Sequence, residues 1–210
     1  MGRIWDAITG NKKKREAEMR EFAFNYGLSY NQKEEQSLVE QLSEFELFKI
    51  GMRKNITNLL SKKELMESNY LFDYYYTIST GKSSHTYTQT VKFLDSKNLG
   101  LPQFYLKPEG FFTKLFEWFG TKDIDFDEDI NFSEMFHLNG EFESVIRTYF
   151  DSDVRKLCKN NKDFYIEGMN YYLIIYIKNK MLKEADLSAF HKLTELIVEI
   201  LKIQSEKNKI

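Results

Sequence analysis

The acidic segment between Asp123 and Glu134 has a carboxylate spacing that could bind a divalent cation. Asp123, Asp125 and Asp127 occupy positions 1, 3 and 5 of a twelve-residue calcium loop, and Glu134 occupies position 12. Glu128 stands at position 6, where the sharp turn of such a loop requires Gly. Two interpretations stay open: a cation site in a sensor or a cation-dependent enzyme, and a solvated acidic edge.

The histidines do not form a recognisable catalytic set with their neighbours. His137 follows the acidic segment but alternates with the apolar Phe136 and Leu138, which is typical of one side chain on a strand. His85 lies beside two serines, yet a nucleophilic pair also needs an orienting group and oxyanion donors, which the spacing does not indicate. We predict no catalytic residue and no cofactor-binding residue, and Ca²⁺ or Mg²⁺ is the cofactor that the acidic segment leaves open.

The first fifteen residues differ in composition from the rest of the chain. Three apolar residues at helical spacing precede a run of four basic residues, and an amphipathic basic segment of this kind can lie on an anionic membrane surface. The alternative is a frayed start that packs on the domain. We expect residues 1–15 to form a separate N-terminal segment and residues 16–210 a single domain. The residues predicted to contact the membrane surface are Ile4, Trp5, Ile8, Lys12, Lys13, Lys14 and Arg15.

Composition excludes several functional classes. The chain has 210 residues, with 30 Lys+Arg, 32 Asp+Glu and a net charge of −2, so it lacks the basic excess that is typical of nucleic-acid-binding proteins. Its apolar runs are far shorter than the roughly 18 residues of a membrane-spanning helix. The single cysteine, Cys158, cannot form an intramolecular disulfide, and its apolar neighbours predict a buried thiol. We therefore expect a cytoplasmic protein that has no nucleic-acid partner.

The predicted elements alternate helices with β-hairpins. Residues 70–79 and 84–93 are rich in aromatic and β-branched residues around Gly81, which is typical of a hairpin. Hairpins in place of regular βαβ units indicate an α+β fold, with a mostly antiparallel sheet and helices packed on one face. The other predicted elements are helices at 16–26, 37–42, 111–119 and 142–161, the last broken at 151–153, strands at 28–31, 103–107, 164–166 and 171–178, and a final helix that Asp186 or Ser188 caps and that ends at Ile203.

Several motifs resemble, as an ordered set, a family of uncharacterised bacterial proteins that share a domain of unknown function. The clearest are Ser79–Thr88 (STGKSSHTYT), Gly110–Gly120 (GFFTKLFEWFG) and Phe132–Gly140 (FSEMFHLNG). The resemblance covers residues 16–201 and is strongest over 70–150. It implies that some members carry membrane-associated N-termini, and it implies no activity, cofactor or catalytic residue.

The leading functional hypothesis is a non-catalytic protein-interaction module, placed at the inner surface of a bacterial membrane through residues 1–15. Aromatic residues make up 16% of the chain, and Tyr and Trp are favoured at protein interfaces. The protein partner is not identified by the sequence. The alternative is a divalent-cation-binding sensor or a cation-dependent enzyme that uses residues 123–134. A small-molecule pocket between the sheet and the predicted helix at 111–119 is a third possibility.

Overall fold

The computed structural model describes residues 2–32, 36–110 and 123–208. These residues form seven helices and eight strands. In chain order they are α1 (Gly2–Asn25), β1 (Ser29–Asn31), α2 (Gln36–Leu42), α3 (Glu46–Lys49), β2 (Met52–Lys63), β3 (Glu67–Ser79), β4 (Ser84–Ser96), β5 (Leu101–Pro108), α4 (Ile130–Met135), β6 (Phe136–Gly140), α5 (Glu143–Tyr149), α6 (Ser152–Lys159), β7 (Phe164–Asn170), β8 (Tyr172–Ile177) and α7 (Glu184–Lys207).

The eight strands form one antiparallel sheet in the order β1-β2-β3-β4-β8-β7-β5-β6. The predicted hairpin is confirmed, since β3 and β4 pair without interruption up to Ser79 opposite Ser84. Gly81 in the connecting turn has a φ of 80°, a conformation that Gly adopts without a steric penalty. The α+β fold with an antiparallel sheet is therefore confirmed.

The sheet separates two hydrophobic cores, because successive side chains of a strand point to opposite faces. On β3, Leu71 belongs to the first core and Phe72 to the second. The long helices α1 and α7 pack on the first face together with α4, α5 and α6. The short helices α2 and α3 cover part of the second face, which is rich in tyrosine. The long helices thus pack on one face of the sheet, as predicted. The short helices α2 and α3 pack on the other face, which the prediction did not include.

Capping residues predicted one helix start correctly and another one wrongly. The side chain of Asp151 accepts hydrogen bonds from two backbone N–H groups of the first turn of α6, so the chain breaks between α5 and α6 as predicted. The last helix begins earlier than expected, at Glu184, with Lys183 at the N-cap position and no side-chain cap. Asp186 and Ser188 therefore lie inside α7, because packing of its apolar face extends the helix beyond the local signal.

The strands predicted at 164–166 and 171–178 pair with each other as β7 and β8, but the turn between them is shorter than the intervening residues 167–170 would allow. Strand β7 continues through Glu167 and Gly168, and the chain reverses at Asn170, which has a φ of 51°. Gly168 fits the strand closely, because a Cβ atom there would lie 2.4 Å from Cε1 of Phe104. The predicted helix at 111–119, and with it the pocket expected beside that helix, lies outside the described residues.

Candidate functional site

Helix α1 is anchored to the sheet by a buried ion pair. Nε of Arg15 donates to Oδ2 of Asp73 at 2.9 Å, and Nη2 donates to Oδ1 at 2.8 Å. Nη1 of Arg15 also donates to the carbonyl of Leu182 at 2.7 Å. Asp73 accepts further bonds from Asn58 and from the hydroxyl of Thr90, so both carboxylate oxygens have partners. A charge pair whose hydrogen bonds are satisfied in this way fixes the rotation and position of α1 over β3.

The ion pair changes the interpretation of the N-terminal segment. Arg15 is only 8% exposed, so it belongs to the domain and is not available to a membrane. Lys12, Lys13 and Lys14 are exposed. Because α1 is continuous from Gly2 to Asn25, the expected boundary between residues 15 and 16 falls inside a helix. The segment is thus continuous with the helix that packs on the domain.

The other predicted membrane-contact residues also lie on α1. Ile4, Trp5 and Ile8 are part of its helical backbone. No helix in the described part of the chain has an apolar stretch long enough to cross a membrane.

A cleft of about 350 Å³ opens between α1 and the neighbouring strands. The hydroxyl of Tyr75 approaches the sulfur of Met181 at 3.7 Å on one side of it. The cleft offers amide, hydroxyl and aromatic groups, which suit hydrogen bonding combined with packing. Its lining residues are Asn11, Lys12, Arg15, Asn55, Thr57, Asn58, Tyr75 and Met181.

The four carboxylates predicted to form a calcium loop are not brought together. Asp125, Asp127 and Glu134 are exposed, and none of them joins a group of three potential metal ligands within the described residues. Asp123 does join such a group, but with Glu109 and His137. The segment is not a calcium loop, because residues 123–126 have no regular secondary structure, residues 127–128 form a turn, and α4 begins at Ile130.

Asp129, in the same segment, has a structural role. It caps α4 by accepting from the N–H of Phe132, and it pairs with Arg155 at 3.1 Å and Lys159 at 2.6 Å. Desolvation opposes ionisation of Asp129, but the hydrogen bonds from Lys159 and Arg155 outweigh it and lower the pKa below its usual value. Asp129 therefore joins α4 to α6.

The cluster around Asp123 combines two carboxylates with one imidazole. Nδ1 of His137 lies 2.9 Å from Oδ2 of Asp123, and one ligand atom of Glu109 lies within 4.8 Å of both. Nε2 of His137 is 3.2 Å from Nδ2 of Asn139. Sequence reasoning found Asp123 and noted that His137 was near, but it missed Glu109. The local pattern contains no signal for Glu109, since strand pairing alone brings it beside residues of β6.

His191 lies in a buried aromatic environment on α7. Its ring packs edge-on against Phe22 and Tyr26, with centroids 5.6 Å and 4.8 Å away. Burial, with the nearby cation of Lys92, lowers the pKa of His191 to about 4, although Glu195 acts in the opposite direction. The neutral imidazole at pH 7 fits a structural role. A cavity of about 260 Å³ opens beside it, lined by Tyr26, Leu28, Lys62, Glu64, Glu67, Asn69, His191 and Glu195.

The side chains of Cys158 and Glu167 are also buried, so solvent does not reach them. Cys158 is fully buried, as predicted, and burial raises the pKa of its thiol to about 12, so it is neither ionised nor accessible. Glu167 is 3% exposed on the tyrosine-rich face and accepts a hydrogen bond from the hydroxyl of Tyr176 at 3.2 Å. Sequence reasoning missed Glu167 because residues 167–170 were expected to form a turn. An acidic residue inside an apolar strand was the available signal.

Comparison with known proteins gives one informative likeness. No protein-family model matches the chain, and no curated protein matches it. The crystal structure of the mycobacterial trehalose monomycolate transport factor A, TtfA, aligns with a TM-score of 0.61 over 90% of this chain and 93% of that chain, at 10% identity. The two chains share a fold. At this identity the likeness extends to the fold and no further.

Proposed function

We propose that this chain is a non-catalytic protein-interaction module that works at the cytoplasmic surface of a membrane. The observation that carries the proposal is helix α1. Its C-terminal half is held in the core by Met19, Phe22 and the Arg15–Asp73 ion pair, while Lys12–Lys14 are exposed on the same unbroken helix. A membrane that attracts those lysines would therefore hold the whole domain in a defined orientation.

Electrostatic attraction is strong enough to matter. Each Lys near an anionic leaflet contributes about 1 kcal/mol, so Lys12, Lys13 and Lys14 supply about 3 kcal/mol before any apolar contact is counted.

The description of the structural neighbour is the basis for proposing a related role. TtfA is described as a transport factor, and a related role here would be to bind a protein of a membrane-associated transport system. The cleft beside α1 is close to the exposed lysines, since Lys12 is one of its lining residues. A partner bound in the cleft would thus lie at the membrane surface.

Vesicle sedimentation tests the membrane part of the proposal. The full-length protein should bind vesicles containing phosphatidylglycerol, and a triple substitution of Lys12, Lys13 and Lys14 by Glu should lower the partition coefficient by about 100-fold or more. The matched control reverses three exposed lysines elsewhere, Lys82, Lys162 and Lys192, with the same change in net charge. Equal loss in both variants, or no binding by the wild type, would overturn it.

Photo-crosslinking in cells tests the protein-partner part. A photoreactive residue at Asn55, on the rim of the cleft, should yield a discrete crosslinked product, whereas one at the exposed Asn160 on the far end of α6 should not. Identical products from both positions, or none from Asn55, would contradict a partner site in this cleft.

The alternative function, cation binding by residues 123–134, lacks a common site for its predicted ligands. Asp123 is the one member that lies close to two other potential ligands in the described structure. A cation-binding function would therefore have to use the cluster with Glu109 and His137 and not the predicted loop.

A further inference from the structure

We infer that Glu109, Asp123 and His137 form a binding site for a divalent transition-metal ion, with Zn²⁺ as the best-fitting metal. One ligand atom from each residue lies within 4.8 Å of the other two. The three residues come from separate parts of the chain: directly after β5, before α4, and within β6. The site does not depend on α1 or on the proposed membrane role.

The backbone holds these three positions together. The N–H of Ile124 donates to the carbonyl of Leu138 at 2.7 Å, and Oδ1 of Asp123 accepts from the N–H of Leu138 at 2.9 Å. The N–H of Glu109 donates to the carbonyl of Met135 at 2.8 Å. Residues on both sides of the cluster are therefore hydrogen-bonded to the β6 region. The ligands are positioned before any ion arrives, which lowers the ordering cost of binding.

The donor set matches zinc better than calcium. One imidazole nitrogen and two carboxylate oxygens are ligands that Zn²⁺ accepts at about 2.0–2.2 Å in a tetrahedral site, with water in the fourth position. Ca²⁺ requires about six to eight oxygen ligands, more than Glu109 and Asp123 can supply. A zinc ion between Asp123 and His137 would widen their present 2.9 Å separation by a few tenths of an ångström, which side-chain rotation provides.

Asn139 is placed to orient the imidazole of His137. It is 5% exposed, its Nδ2 lies 3.2 Å from Nε2 of His137, and its buried Oδ1 has no hydrogen-bond partner in the described structure. If Nδ1 of His137 binds a metal, Nε2 carries the proton and must donate. A rotation of the Asn139 amide brings Oδ1 to accept that proton, as partners of metal-bound histidines do. Asn139 is thus a positioning residue that can serve either tautomer.

The charge around the cluster permits a cation. Lys107 of β5 lies opposite His137 in the register of β5 and β6, and its ammonium group adds one positive charge nearby. The carboxylates of Glu109 and Asp123 together outweigh it. Both Asp123 and His137 remain about one-quarter exposed, so an ion can enter from solvent.

Metal-dependent thermal unfolding of the full-length chain tests the inference. Saturating ZnCl₂ should raise Tm by about 5 °C, while CaCl₂ and MgCl₂ at the same concentration should leave it unchanged. His137→Gln and Asp123→Asn should each remove the zinc shift. Asn139→Ala should retain a weaker site, with affinity reduced by about 10- to 100-fold in calorimetric titration.

Matched controls separate this cluster from general acidity. Asp125→Asn removes an exposed carboxylate from the same segment, and His85→Gln removes an exposed imidazole elsewhere. Both should keep the full zinc shift. Absence of a zinc shift in the wild type, or its persistence in His137→Gln, would overturn the inference, as would its loss in Asp125→Asn. Cobalt(II) titration gives a second readout on folded variants, because a tetrahedral cobalt site absorbs visible light and a hydrated ion scarcely does.

Discussion

The side-chain carboxyl group of Glu167 accepts a hydrogen bond of 2.6 Å from the backbone N–H of Glu46. A second bond of 3.2 Å comes from the N–H of Leu47, so a residue in the middle of β7 caps the short helix α3. The contact joins segments that are 121 residues apart in the chain. It holds α3 against the tyrosine-rich face of the sheet, where α3 has no side-chain cap of its own.

The buried carboxyl predicts a pH dependence of stability. Desolvation raises the pKa of Glu167 to about 8, and the bonds from Glu46, Leu47 and Tyr176, which favour ionisation, only reduce that rise. In the unfolded chain the same group ionises near its usual 4.5, so the folded state binds more protons between these values. The free energy of unfolding should therefore fall as pH rises, by about 2 kcal/mol between pH 6.5 and 8.

Urea denaturation at several pH values checks this prediction with Glu167→Gln, which cannot titrate. The variant should lose the decline between pH 6.5 and 8, and an exposed-site control, Glu141→Gln, should keep it. A decline that is equally steep in Glu167→Gln would show that another group causes it.

His191 predicts the opposite dependence at lower pH. Because burial and Lys92 lower its pKa to about 4, the unfolded chain binds the proton more readily below the usual 6.5, and stability should fall as pH falls. His191→Phe keeps the aromatic packing on Phe22 and Tyr26 and removes the titration. When the pH is lowered from 7 to 5, the free energy of unfolding of the variant should rise by about 1 kcal/mol relative to that of wild type. Urea denaturation at both pH values measures this difference. A constant difference across that range would contradict it.

The ion pair under α1 predicts a large loss of stability when one partner is removed. Arg15→Met should lower the free energy of unfolding by about 3–5 kcal/mol, because Asp73 is then a buried charge without a cation. The double variant Arg15→Met/Asp73→Asn should be less destabilised than Arg15→Met alone, since no charge is then buried. Lys14→Met, the exposed neighbour, should stay within about 0.5 kcal/mol of wild type. Thermal and urea unfolding measure all three, and a double variant that is worse than the single would oppose this account.

Two strand glycines predict steric limits on the sheet. A Cβ at Gly140 would lie 2.2 Å from the backbone oxygen of Gln103, and one at Gly168 would lie 2.4 Å from the ring of Phe104. Gly140→Ala should lower the free energy of unfolding by about 3 kcal/mol, and Gly168→Ala by about 1–3 kcal/mol. The cost at Gly168 is smaller because the ring of Phe104 can move, whereas the backbone oxygen of Gln103 is held in the sheet. Gly100→Ala, where a Cβ has open space, should change the unfolding free energy by less than about 1 kcal/mol. Similar costs at all three positions would show that close packing is not the cause.

Local patterns in the sequence determined the α+β class and several elements. The β3–β4 hairpin follows from aromatic and β-branched residues around Gly81, and the break before α6 follows from Asp151. These features were predictable because strand alternation, turn conformation and helix capping depend on residues only a few positions apart.

The candidate sites were decided by the tertiary structure. Spacing predicted that Asp123 would act with Asp125, Asp127 and Glu134. Hydrogen bonds to Leu138 of β6 instead place Asp123 beside His137 and Glu109. Whether a charged residue is paired, buried or exposed depends on groups that are distant in the chain and meet only when the sheet assembles. In the sequence, Arg15 is the last residue of a basic run. In the structure it is buried and pairs with the carboxylate of Asp73, which is 58 residues away in the chain.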